Sequence, residues 1–139
     1  MVLLMGDWTL FMDRQKVTLN LSNINNTGLF NCGFVHENVI FRGEGYWNDV
    51  AKRIYFAASE DVSPPPASSA LNFTFEGYLV EDVPSNEPGA DKLWTLVGTY
   101  HVSGVGDLHL PFALERAGWT DFPRRQYFGW YANKIEHVQ

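Results

Sequence analysis

Apolar and polar residues alternate with a period of two along most of this chain, and that pattern leaves room for little except strands. Val17, Leu19 and Leu21 alternate with Thr18, Asn20 and Ser22. Phe73, Phe75 and Leu79 alternate with Thr74, Glu76 and Tyr78. Reading the pattern from end to end gives eight strands: Asp7–Met12, around Val17–Ser22, Leu29–Val35, Val39–Trp47, Lys52–Ala58, Leu71–Val80, Leu93–Val102 and Tyr127–Ile135. The breaks between them have turn chemistry. Asn25-Asn-Thr-Gly28, His36-Glu-Asn38 and Asn48-Asp49 are built from residues that accept positive φ or bond their own backbone. Ser63 to Ser69, with three prolines, cannot join a ladder, and a second Pro/Gly-rich loop runs from Glu81 to Asp91. The one helical signal is Pro111 to Ala117, closed by Gly118. With no crossover helix, the strands are expected to pair antiparallel with their sequence neighbours.

Glycine followed by an aromatic residue recurs inside the predicted strands, as Gly33-Phe, Gly45-Tyr-Trp, Gly77-Tyr, Gly98-Thr-Tyr and Gly129-Trp-Tyr. A strand glycine marks a bend or a close backbone approach. Bends in strand after strand are what a sheet needs to close on itself. The fold class that follows is all-β: an antiparallel up-and-down meander barrel of about eight strands, with one short helical turn before the last. A two-sheet sandwich is the alternative on the same pattern. At 139 residues the chain suits a single barrel domain over 1–139.

Charge and cysteine usage narrow the function. Ten Lys and Arg against sixteen Asp and Glu give a net charge of −6, which offers no basic face for nucleic acid. The single cysteine, Cys32, permits neither an internal disulfide nor a cysteine zinc site. It reads as a buried thiol rather than a nucleophile. Met1–Met5 is too short an apolar run for a signal peptide, and no run is long enough for a membrane helix. The expectation is a cytoplasmic protein without a membrane partner. Sequons at Asn20, Asn25 and Asn72 read as chance in that setting.

Several short motifs carry a family resemblance. Gly6-Asp-Trp8 resembles the G-x-W that opens avidin/streptavidin and lipocalin-type (calycin) barrels. Gly28 to Phe34 is similar to the second avidin hairpin, and Phe41 to Tyr46 and Phe75 to Tyr78 resemble its later strands. Leu93 through Trp119 matches the layout of a tryptophan strand followed by a loop with a helical turn and a tryptophan. The resemblance implies a barrel whose mouth takes a small apolar or amphipathic ligand. It also implies a homodimer or homotetramer in which Trp119 reaches a neighbouring subunit. It does not imply biotin. Leu10 stands where that family places an asparagine, Phe34 where it places a tyrosine, and Tyr131 near its last-strand aspartate. Without those hydrogen-bonding groups only shape remains.

The candidate ligand-binding residues are Tyr46, Trp47, Phe75, Trp94 and Tyr100 as aromatic walls, with Arg42 or Glu44 supplying polarity. Arg42, Glu44 and Tyr46 share one strand face; Phe41, Gly43, Gly45 and Trp47 share the other. If the glycine face looks outward, the charged pair points into the barrel; otherwise it is solvated. A one-residue slip reverses the answer. The loops at 62–69 and 81–91 are expected to form the mouth. No catalytic residue, metal site or cofactor is expected. His101, Asp107 and His109 have no recognised ligand spacing, and no serine sits in a G-x-S-x-G elbow. Two further readings stand beside ligand binding: an interaction or assembly module whose barrel is filled solid, and an enzyme using Glu44 or Glu76 at the barrel mouth.

Overall fold

The computed structural model describes residues 3–61, 72–81, 91–103 and 127–137. Eight strands close into one barrel in the order of the chain: β1 Gly6–Met12, β2 Gln15–Ser22, β3 Leu29–His36, β4 Val39–Asn48, β5 Arg53–Glu60, β6 Asn72–Glu81, β7 Lys92–Ser103 and β8 Phe128–Glu136. Every neighbouring pair is antiparallel, and β8 returns to β1. The meander barrel read from the alternation is therefore the fold, and the sandwich is not. The helical turn expected at 111–117 lies outside the described residues. No described helix is long and apolar enough to cross a membrane.

The turns follow from local chemistry. Asp13-Arg14 joins β1 to β2 with φ of 49° and 58°, and Glu37-Asn38 joins β3 to β4 with φ of 50° and 65°. Two central residues with positive φ twist in the same sense as the strands they connect, which suits two-residue hairpins. Both turns stand at one end of the barrel, called here the tight-turn end. At the far end, Asn25 Oδ1 accepts from Thr27 N at 2.9 Å and Leu29 N at 3.0 Å. Asn48 Oδ1 accepts from Val50 N at 3.1 Å and Ala51 N at 3.0 Å and shapes the β4–β5 turn.

Alternation puts one face of every strand inside. Trp8, Leu10, Leu19, Leu21, Phe41, Phe56, Phe75, Leu96 and Tyr100 are all fully buried. The inward glycines make room for rings from other strands. Phe30 of β3 lies where a Cβ on Gly45 would go, and the Trp130 indole of β8 lies over Gly77. The aromatic residue that follows each of these glycines in sequence, Tyr46 or Tyr78, points outward instead. The glycine–aromatic repeat thus does mark close approach, but the ring that fills the space comes from across the sheet. Trp130 Nε1 also donates to Glu76 O at 3.1 Å and Thr99 O at 3.0 Å, pinning β8 to β6 and β7.

The wall is not uniform. Six of the eight ladders pair over seven to ten positions. The other two are short. β2 meets β3 only at Asn20–Ser22, and β1 meets β8 only at Thr9–Phe11. Toward the tight-turn end, Val17–Leu19 and Phe34–His36 run without a shared ladder. An open outer groove of about 1140 Å³, lined in part by Lys16, Thr18, Val35 and Ile40, lies against this gap.

Candidate functional site

Whether the barrel encloses a ligand depends on what fills it. An eight-strand barrel is just wide enough to be packed by its own side chains or to hold one small molecule. Here rings meet across the lumen. Phe34 of β3 stands edge-on to Phe73 and Phe75 of β6, at centroid distances of 5.7 and 5.8 Å. Phe56 of β5 packs edge-on against Trp130 of β8 at 5.7 Å, and stacks on Phe75 at 4.4 Å. Phe75 also stacks on Tyr100 at 5.3 Å. These strands are not all neighbours, so the contacts span the interior. Offset-stacked and edge-to-face pairs at these distances are the arrangements aromatic rings prefer. The described middle of the barrel is filled.

The seven candidate residues divide by face. Trp47, Phe75, Trp94 and Tyr100 point inward and are buried. Trp47 Nε1 donates to Asp49 Oδ1 at 3.1 Å, and this bond holds the Asp49 carboxyl below its usual range. Tyr46, Arg42 and Glu44 point outward and are exposed. The register that would have put the charged pair inside is corrected. Gly43 and Gly45 share the inward face with the buried Phe41 and Trp47, and the Ala57 carbonyl and the Phe30 ring occupy the places their side chains would need. Arg42 instead pairs across the outer surface with Asp61, Nε to Oδ2 at 3.0 Å. Adjacent residues on a strand face opposite ways, so Tyr46 and Trp47 cannot line one cavity.

The loops expected to rim one mouth, 62–69 and 81–91, lie outside the described residues except for Glu81 and Asp91. The strands around them are described, however. The β5–β6 connection leaves from the tight-turn end and the β6–β7 connection from the far end, so the two loops leave from opposite ends. Trp119, Asp107 and His109 also lie outside. His101 is half-buried and packs edge-on against Tyr127 at 5.4 Å. Glu44 and Glu76, the carboxylates weighed for catalysis, are both on the outer face and exposed. Cys32 is buried, its Sγ 3.8 Å from Ala57 O, and burial pushes its thiol up to about 12. At neutral pH that is a protonated, inert group.

Two features remain. The first is outside the barrel. Tyr46 of β4 pairs directly with Tyr55 of β5, and Tyr78 of β6 pairs with Arg53 of β5. The three tyrosines are 43%, 46% and 51% exposed. With Asn48, Arg53 and Glu76 they line a shallow groove of about 450 Å³. The second is the polar cluster at the tight-turn end. Asp13 and His36 are buried, and His36 Nε2 lies 3.4 Å from Asp13 Oδ2. The His36 ring is T-shaped to Phe73 at 5.5 Å. Burial first, and then the Asp13 charge, raise the Tyr100 phenol well above its ordinary value.

Sequence reasoning missed this cluster, although its signal was present. Phe30, Cys32 and Phe34 alternate inward, and the same period continues to His36. Reading His36 as the first turn residue broke the pattern one position early.

No family model, no curated protein and no solved structure matches this chain. The closed eight-strand antiparallel barrel is compatible with a calycin-like architecture, and the likeness rests on that architecture alone.

Proposed function

We propose that this protein is an assembly module: a solid barrel that pairs with a second copy of itself through the outer face of β4, β5 and β6. The observation that carries this reading is the placement of the large side chains. Phe34, Phe56, Phe75 and Trp130 meet across the lumen, while Tyr46, Tyr55 and Tyr78 stand together outside it. A filled interior removes the central space that a ligand carrier needs. Tyrosine and arginine are the residues over-represented among the energetic centres of protein interfaces. Arg53 and Glu76 lie within the same patch. A two-fold interface must be self-complementary, and a patch carrying both signs of charge beside its apolar rings meets that requirement.

Native mass spectrometry and sedimentation of the purified chain test the proposal. The expected mass is twice 15.8 kDa with no small-molecule adduct. Tyr55→Ser and Tyr78→Ser should each weaken the dimer by about 2 kcal/mol, roughly 30-fold in Kd, if both act as interface centres. A monomer at all concentrations overturns the reading. So does a discrete adduct lost on denaturation, which would restore the enclosed-ligand reading.

A further inference from the structure

We infer that the tight-turn end holds a zinc-type divalent cation, bound by Asp13, His36 and Glu37. One ligand atom from each of these three side chains lies within 4.8 Å of the other two. The pair at the centre has the spacing a tetrahedral ion imposes. Zinc sits about 2.0–2.1 Å from nitrogen and oxygen ligands, so two ligands of a tetrahedron are about 3.3 Å apart. The separation of His36 Nε2 and Asp13 Oδ2 is 3.4 Å.

A second observation points the same way. His36 is 4% exposed, and among the described residues its Nε2 makes no hydrogen bond; Asp13 Oδ2 at 3.4 Å is an ion-pair contact only. A buried ring nitrogen without a hydrogen bond is unusual in a folded protein. A metal ion supplies that partner without requiring a proton. The donor set also restricts the ion. Imidazole with carboxylates suits zinc and its neighbours in the first transition row, whereas calcium and magnesium take oxygen alone.

The position in the fold gives the ion a task. Asp13 belongs to the β1–β2 turn, and His36 and Glu37 to the β3–β4 hairpin. Between them β2 and β3 share no ladder beyond Asn20–Ser22. An ion bound by all three would cross-link the barrel end where backbone pairing stops. The three ligands among the described residues account for three of the four positions of a tetrahedron.

The test uses the full-length untagged chain, stripped with EDTA and titrated calorimetrically with ZnCl2, then with Co²⁺ as a spectroscopic substitute. One ion per chain is expected, with the intense visible bands of tetrahedral Co²⁺. A rise in melting temperature on adding zinc, reversed by EDTA, is also expected. His36→Gln should lower affinity by more than about 100-fold, because even the outer partners of a metal ligand are worth 10–100-fold. That residue is buried, so its variant risks misfolding. Glu37→Gln changes an exposed side chain, leaves the core intact, and should still weaken binding at least about 10-fold. His101→Gln, at a half-buried ring on the outer face of β7 against Tyr127, should leave affinity unchanged. No zinc or cobalt binding by the folded chain overturns the inference. So does binding that Glu37→Gln leaves unaltered.

Discussion

At the scale of single residues, the glycines separate two requirements that look alike in sequence. A Cβ on Gly43 would run into the Ala57 carbonyl, in backbone that cannot move without breaking the β4–β5 ladder. Gly129 has nothing within 4 Å of where its Cβ would stand. Gly43→Ala is therefore expected to cost about 1–3 kcal/mol or more, as overpacking does. Gly129→Ala should be neutral or slightly stabilising, because alanine loses less chain entropy on folding. Urea unfolding of the two variants checks the contrast, and equal losses would refute it. Cys32 makes a prediction of a different kind. Burial pushes its folded thiol up to about 12, from an ordinary value of 9.0. A raised folded pKa means that the folded state keeps a proton the unfolded chain gives up. Stability is then unaffected below about pH 9 and falls as pH rises from there toward about 12. Tyr100, also raised, adds to the loss with the same sign at higher pH. Urea midpoints measured at about pH 8 and about pH 11 should differ less in Cys32→Ala than in the parent chain.

At the scale of elements, the turns show where stability remains to be gained. Lys52 closes the β4–β5 turn at φ 56°, a conformation that disfavours a side chain. Its amine lies 3.6 Å from Asp49, in an exposed pair that contributes little. Lys52→Gly should raise stability by about 1 kcal/mol, which corresponds to roughly 4 °C in melting temperature. A fall would show that the Asp49 contact matters more than the backbone strain. The strands themselves were legible because alternation, turn chemistry and chain order all pointed to one answer. The inside–outside choice for β4 was not legible. Both of its faces carry aromatics, and what decides between them is non-local: Phe30 comes from β3 and the Ala57 carbonyl from β5. Nothing near Arg42 or Glu44 in the chain reports those neighbours. The polar end was hidden for a related reason. Asp13 and His36 are 23 positions apart and meet only when β1, β2 and β3 assemble.

At the scale of the whole molecule, the ring-filled middle of the described barrel shifts attention to its outer face and its ends. The two short ladders then take on a further meaning. β1 and β2 are fully paired with each other, yet this hairpin is joined to the remaining six strands by three positions on either side. What holds it in place is the burial of Trp8, Leu10, Met12, Leu19 and Leu21, each worth about 1.5–3 kcal/mol. A unit attached by side chains more than by backbone opens as a unit. Amide hydrogen exchange should therefore show β1 and β2 losing protection together, at lower free energy than β5, β6 and β7. Equal protection around the barrel would rule this out. A hairpin that detaches whole leaves behind a slot shaped for an identical hairpin, so at high concentration two chains can trade their first two strands and become intertwined.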